Sequence, residues 1–261
     1  MRKIKKFIRN SKILLKHRQK ILQIQQEIKD KLGNIKFKFA SFGGADINYY
    51  VIKNKHKIGM LRLAIADHKD SSLPIVRFIK KKRLNKEYMA YSIGSNKELT
   101  PKVLFKSEDA LVCEYLQGER VFDILKKDKS QVWSLLTEAI KTYKSLHNLE
   151  ITHLDATLKN FIIDNKKMKV IDFEYYPSKE LSVETQKAYD YIRIIEHTLR
   201  IIPNVNQKDY HEFITFLDKT IPNEVKNADL TLVKLWIKNI KTFPIYTSLN
   251  KEIFTNLTFE K

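Results

Sequence analysis

Asp155, Asn160 and Asp172 fall within one stretch, ITHLDATLKNFIIDNKKMKVIDFEYY, residues 151–176. Two apolar runs in it, FII and KVIDF, are joined by the polar turn DNKKM, a pattern that predicts a hairpin. Closing such a hairpin brings Asn160, at its entrance, and Asp172, at its exit, to the same end. A carboxylate and an amide carbonyl are hard oxygen ligands suited to Mg2+, which keeps several waters and binds nucleotide phosphates. Asp155, held apart from the metal, is placed to accept or orient a hydroxyl proton. A metal, a positioned hydroxyl and little covalent work by the protein are what phosphoryl transfer requires.

The elements that must position these groups can be read from hydrophobic period. Residues 1–32 carry Ile and Leu at helical spacing with Lys and Arg between, a basic amphipathic helix stopped by Gly33-Asn34. It either packs on its own domain or rests on a membrane surface. Residues 35–65 read as a three-stranded meander with Gly43-Gly44 in its first turn. A helix over 78–94 follows, then a strand pair in KVLFKSEDALVCEYL, then a break at Gly118. Beyond it a helix opens at Ser130, read as its cap, with the stripe Val132, Leu135, Leu136, Ala139, Ile140, Tyr143 and Leu146. Further helices are predicted over 183–201, 206–220 and 229–242. The layout is α+β: an extension over 1–34, a strand-rich lobe over 35–117 and a mainly helical lobe over 118–261.

His153-x-Asp155-x-x-x-x-Asn160 resembles the catalytic loop of the protein-kinase-like superfamily, and Ile171-Asp172-Phe173 resembles its metal-binding segment. The resemblance implies a two-lobed fold with an antiparallel-sheet N-lobe, and ATP and Mg2+ as cofactors, with Asn160 and Asp172 on the metal. It also implies a phosphate-facing basic residue on the third strand, for which Arg62 stands in GMLRLAI, and a helical glutamate paired with it, Glu87. Gly43 and Gly44 would cover the nucleotide. Glu114 and Leu116, in LVCEYLQGE, would lie beside adenine, and Asp190 would brace the catalytic loop from a helix. His153 reads as a buried structural hydrogen-bonder and Cys113 as core packing. Glu174 reads equally as a second metal contact or as a partner for a basic neighbour. Lys159 either reaches phosphate or faces solvent.

Glu174 in IDFEY, where protein kinases carry glycine, resembles choline and ethanolamine kinases and their small-molecule and saccharide relatives. Leu154 stands where protein kinases carry the arginine that reads a phosphorylated activation loop. Only 17 residues separate Asp172 from Asp190, short for a peptide platform. A choline pocket would draw on Tyr175, Tyr176, Trp236 and Phe243. An aminoglycoside pocket would need carboxylates near the C-terminus, where Asp209, Glu212, Asp218, Glu224, Asp229, Glu252 and Glu260 are scattered among lysines.

The net charge of +19 disfavours a cationic acceptor and suits an anionic one. The chain resembles lipopolysaccharide-core sugar kinases in size and basic character. That resemblance implies a glycan or glycolipid acceptor and gives the N-terminal helix a role at an anionic membrane. No aromatic-basic nucleic-acid motif is evident. One cysteine excludes an internal disulfide, and no apolar run approaches a membrane span, so the expected location is cytoplasmic, at most peripheral to the membrane. A non-catalytic nucleotide-binding module is the remaining alternative.

Overall fold

The computed structural model describes residues 11–43, 46–65, 75–77, 80–202 and 208–259. Gly44, the first ten residues of the N-terminal helix and the predicted helix starts at 78–79 and 206–207 lie outside them.

The first lobe is built on β1 (Lys36–Gly43), β2 (Asp46–Lys53) and β3 (His56–Ala64), the expected meander. With β5 (Val103–Lys106) and β6 (Ala110–Glu114) they form an antiparallel sheet in the order β1-β2-β3-β6-β5. Alternation along β2 and β3 turns Ile47, Val51, Leu61 and Leu63 to one buried face. Helix α1 (Arg18–Leu32) covers that face with Ile21, Ile24 and Ile28, one helical stripe. Gly33, at φ 81°, ends it in the left-handed region that glycine enters without strain. Lys53 then donates to the Leu32 carbonyl (2.9 Å). The opposite side of the helix leaves Leu15 and Leu22 exposed.

A short strand, β4 (Ile75–Arg77), and helix α2 (Lys80–Gly94) complete the lobe. The second lobe holds β7 (Glu119–Arg120), helices α3 (Val121–Lys127) and α4 (Val132–His147), the hairpin β8 (Phe161–Asp164) and β9 (Lys167–Val170), the strand β10 (Tyr175–Pro177), and helices α5 (Val183–Ile201) and α6 (Lys208–Thr220). Its core is the predicted α4 stripe packed on α5. No helix of the described residues is long and apolar enough to cross a membrane.

Three local expectations change. The hairpin turn is only Asn165-Lys166, both left-handed (φ 50° and 63°), as a two-residue turn between twisted strands requires. The second strand therefore ends at Val170, and Asp172 lies beyond it. The cap before α4 is Asp128, whose carboxylate accepts the Ser130 N–H (3.0 Å), and not Ser130. The helix expected over 229–242 is broken into turns, a short helix at Lys234–Ile237 and a 3-10 turn at Lys238–Thr242. Its apolar positions Leu230, Val233, Ile237 and Ile240 are all buried regardless, so tertiary packing satisfies the stripe without a continuous helix.

Two devices join the lobes. Asp164 Oδ1, in the hairpin, accepts the N–H groups of Gln117 (2.9 Å) and Gly118 (3.1 Å) in the crossing segment. Gly118 lies so near the hairpin that a Cβ there would stand 1.8 Å from the Ile163 carbonyl oxygen. Gly118→Ala is therefore expected to destabilise the protein by about 3 kcal/mol, the upper part of the overpacking range. Thermal melting reads this as a Tm fall of roughly 6–12 °C; an unchanged Tm would show that the crossing segment yields without penalty. The second device is an antiparallel pair between β4 and β10, which ties the chain just after Asp172 to the first lobe. Lys86 of α2 reinforces it by donating to the Tyr175 carbonyl.

Candidate active site

The loop carrying Asp155 hangs on one buried carboxylate. Asp190, fully buried on α5, accepts the backbone N–H of His153 (2.8 Å) and of Leu154 (2.7 Å) and meets His147 Nε2 (3.1 Å). These bonds hold Leu154 at φ 66°, a conformation that L-residues other than glycine, asparagine and aspartate seldom adopt. Leu154 points into the core, where the arginine of a phosphate-reading loop could not be accommodated unpaired. His153 works as a spacer. Its Nδ1 accepts the Asp155 N–H (3.2 Å), so Nε2 carries the proton and donates to the Ile171 carbonyl (2.9 Å). One neutral imidazole thus sets the distance between the Asp155 loop and the segment that carries Asp172.

Asn160 closes the loop. Its Nδ2 donates to the Asp155 carbonyl (3.0 Å), which leaves Oδ1 uncommitted. The Ile171 N–H donates to the Asn160 backbone carbonyl (2.9 Å), so Asn160 and Asp172 do meet at one end of the hairpin. Asp172 is also left-handed, at φ 75°, and its N–H donates to the Tyr91 hydroxyl (3.1 Å). Backbone in sparsely populated regions on both sides of a site is the pattern expected where geometry is held for chemistry.

Opposite this end, Arg62 stands on β3 with its fork spread over three carboxylates. Nη2 is 2.7 Å from Asp172 Oδ1; Nη1 is 3.1 Å from Glu87 Oε2 and 3.7 Å from Glu174 Oε2. A planar guanidinium can serve all of these at once, as an ammonium could not. Burial works against the Arg62 charge, but Glu87, Asp172 and Asp46 outweigh it and raise its pKa. Burial raises the Glu87 carboxyl, with Arg62 and the Tyr91 hydroxyl (2.7 Å) opposing. A second arginine, Arg83, is 1% exposed. Its Nη2 lies 2.5 Å from Asp46 and its Nε 3.9 Å from Glu174. Glu174 therefore serves basic neighbours, linking the two arginines, and Asp46 ties the far side of the glycine turn into the same network.

Between the lobes lies a cavity of about 310 Å³. Met60, Leu111, Leu116, Ile162 and Ile171 give it apolar walls, and Arg62, Glu87 and Tyr91 line it as well. Its size is at the lower end of small-ligand sites. Two observations fit a nucleotide. Among the described residues the Leu116 N–H has no acceptor, at the edge where a planar base would need one. Arg62 Nη1 is buried without an aligned hydrogen bond, which a phosphate oxygen would complete. For Mg2+, no group of three His, Cys, Asp or Glu side chains converges among the described residues. Asp172, which also pairs with Arg62, and Asn160 are the two residues that could hold it, which suits an ion that takes its remaining ligands from phosphates and water.

Of the expected binding residues, Gly43 ends β1 and pairs with Asp46. Glu114 and Leu116 both line the cavity, but the Glu114 carboxylate turns to Lys169 (3.6 Å) and the Lys102 N–H (3.3 Å), and the Glu114 N–H donates to the Lys102 carbonyl (2.8 Å). Cys113 is not simply core. It lines the same cavity, and burial together with Glu87 pushes its thiol up to about 12, so it stays protonated. Tyr176 faces the Lys86 ammonium (5.7 Å), while Trp236 and Phe243 pack on the helical core. Sequence reasoning missed Arg83, Tyr91 and Asp46. Arg83, Glu87 and Tyr91 recur every four residues on α2, and a polar stripe at that spacing on a buried helix face was the available signal.

No protein-family model matches the chain. Over 74 residues it is 36% identical to the probable serine/threonine-protein kinase BUD32 homolog of Archaeoglobus fulgidus, covering 28% of this chain and 35% of that protein. Over 67 residues it is 34% identical to the dual specificity protein kinase zakA of Dictyostelium discoideum, covering 23% of this chain and 9% of that protein. The matched stretch thus spans about a third of the first relative and less of the second. Among solved structures, the Rio2 kinase–ADP/Mg2+–phosphoaspartate complex of Chaetomium thermophilum superposes with a TM-score of 0.54 at 13% identity, over 90% of this chain and 73% of that one. The chain has the two-lobed protein-kinase-like fold, with an antiparallel N-lobe sheet and a helical C-lobe.

Proposed function

We propose that the protein is an ATP-dependent kinase that transfers the γ-phosphate to a hydroxyl of a sugar, in a lipopolysaccharide-core or related acidic bacterial glycan. The observation that carries the kinase reading is the meeting of Asp155, Asn160 and Asp172 at one end of the hairpin, with Asp172 in direct contact with Arg62 (2.7 Å), which lines the cavity. In this reading Asp155 orients the acceptor hydroxyl and takes its proton. Asn160 and Asp172 hold Mg2+, which when bound neutralises charge on the transferred phosphoryl group. Arg62, positioned by Glu87, faces the phosphates. The Leu116 main chain, beside Glu114, receives the base, and Gly43 at the end of β1 covers the nucleotide.

The acceptor class is supported by the chain after Asp172. It is tied to the first lobe as β10 and reaches α5 at Val183, which leaves little surface on which a peptide could lie extended. The charge of +19 favours an acidic acceptor. Leu15 and Leu22, exposed on α1 and its N-terminal continuation beside Lys12, Lys16 and Arg18, would suit reversible contact with an anionic membrane surface. A protein acceptor is the second reading, because both curated relatives are named as protein kinases. The test is ATP turnover with heptose- or Kdo-containing core oligosaccharide, choline, ethanolamine, an aminoglycoside and an acidic protein such as casein. Turnover with the core glycan alone is the expected result. Turnover with casein alone would move the acceptor to protein, and absence of ATP–Mg2+ binding would remove the enzyme reading altogether.

A further inference from the structure

Beside the catalytic loop, the helix α3 packs against the turn Leu158–Asn160. Phe122 is the aromatic at this contact. Lys126 Nζ stands 4.3 Å from the centre of its ring and Lys159 Nζ 5.1 Å, so two exposed ammonium groups gather on one aromatic ring. Two like charges repel, and a cation–π contact is worth only about 0.5–1 kcal/mol at an exposed site. A face that collects two of them is therefore a place where an anion gains more than either lysine does alone.

The same spot is bounded on α5. The His197 ring lies 6.5 Å from Phe122. Its imidazole is held down to about 4 by burial and by the positive charges of Arg193, Arg200 and Lys159. The carboxylates on these elements are Asp123 of α3 and Glu184, Asp190 and Glu196 of α5, of which Asp190 is committed to the His153 and Leu154 N–H groups. Glu196 is buried and shared between Arg193 (3.3 Å) and Asn239 (3.2 Å). Lys159 immediately precedes Asn160 and stands four residues after Asp155. The basic face and the proposed proton acceptor therefore belong to one loop.

We propose that Lys126 and Lys159, gathered at Phe122, bind the phosphate or carboxylate of an acidic saccharide acceptor and so present its neighbouring hydroxyl to Asp155. This rests on the kinase reading and narrows its substrate to an acceptor that is already anionic. The ammonium groups act as point charges rather than as a planar fork, so the site accepts either kind of anion. The lysine-rich composition by itself would spread charge over the surface and would not pair two lysines on one ring next to a catalytic loop.

The experiment is calorimetric titration of the full chain with AMP-PNP–Mg2+ saturating the nucleotide site, so that added anions cannot enter it. The probes are inorganic phosphate, glucose 6-phosphate, glucuronate, neutral glucose and a short polyglutamate peptide. Binding of phosphate, glucose 6-phosphate and glucuronate is expected, with none for glucose, weakening as salt is raised. Lys126→Gln/Lys159→Gln should weaken it about tenfold, and each single variant about threefold, in the range of exposed charge pairs. Lys159→Arg should largely keep it. If the double variant also loses AMP-PNP, its fold is compromised and the single variants decide. Anion binding that is equal in wild type and variants, or absent from wild type, overturns the proposal. Tight binding of polyglutamate without the sugar anions overturns the saccharide class. Failure of AMP-PNP to bind any form would instead remove the kinase reading, and the same anion titrations of the nucleotide-free protein would still report on the lysine face.

Discussion

Asp155→Asn is expected to lower phosphoryl transfer by about 10²–10⁴-fold, the usual worth of a general base, while ATP–Mg2+ affinity stays near that of wild type. The substitution keeps the shape of the side chain and leaves the Asp155 backbone carbonyl, which Asn160 bonds, untouched. Asp172→Asn should behave differently. It removes the carboxylate proposed for the metal and weakens the 2.7 Å charge-assisted bond to Arg62, so the gain in ATP affinity on adding Mg2+ should fall by about tenfold or more. Turnover with the acceptor and nucleotide binding with and without Mg2+, measured on both variants, separate the two roles. Wild-type turnover in Asp155→Asn would end the assignment of Asp155. An unchanged Mg2+ effect in Asp172→Asn would end that of Asp172.

The second large effect belongs to a residue that touches no substrate. Asp190→Ala leaves the N–H groups of His153 and Leu154 and the His147 Nε2–H without an acceptor in a fully buried place. Each buried donor left unsatisfied costs about 1–3 kcal/mol, so a loss of several kcal/mol is expected in a denaturant titration. Asp190→Asn separates fold from function. It keeps one carbonyl oxygen but turns an amide toward donors, so at least one donor loses its partner. Leu154 would then relax from φ 66°, carrying Asp155 out of position. A folded Asp190→Asn protein should bind ATP and transfer phosphate poorly. Wild-type stability and turnover in this variant would show that the loop is held by something other than Asp190.

The lobes were legible in the sequence because they are built from local periods. The meander alternates, the α4 stripe repeats at helical spacing, and the 151–176 hairpin is closed by turn residues. Where prediction failed, a competing interaction had taken over. Ser130 has the chemistry of a cap, but Asp128 lies two residues earlier and its carboxylate accepts both the Ser130 N–H and the Ser130 hydroxyl. Residues 229–242 have helical spacing, but their apolar groups are buried by neighbours from turns. α1 shows a division within one helix: Ile21, Ile24 and Ile28 are committed to the sheet, and Leu22 is not.

By itself the sequence determined which groups stand together along the chain: Asp155 with Asn160, the hairpin that returns to Asp172, and the order of Arg62 before Glu87. Local backbone chemistry suffices for that, since spacing and turn type bring the two hairpin ends together. Only the tertiary structure decided the electrostatics. Asp46, Arg62, Arg83, Glu87, Asp172 and Glu174 come from four separate parts of the chain, and their attraction to one another is large only once packing has excluded water from between them. The same holds for Asp190, whose acceptor role depends on α5 lying against the loop, and for Lys126 and Lys159, which share Phe122 only because α3 folds onto the turn before Asn160.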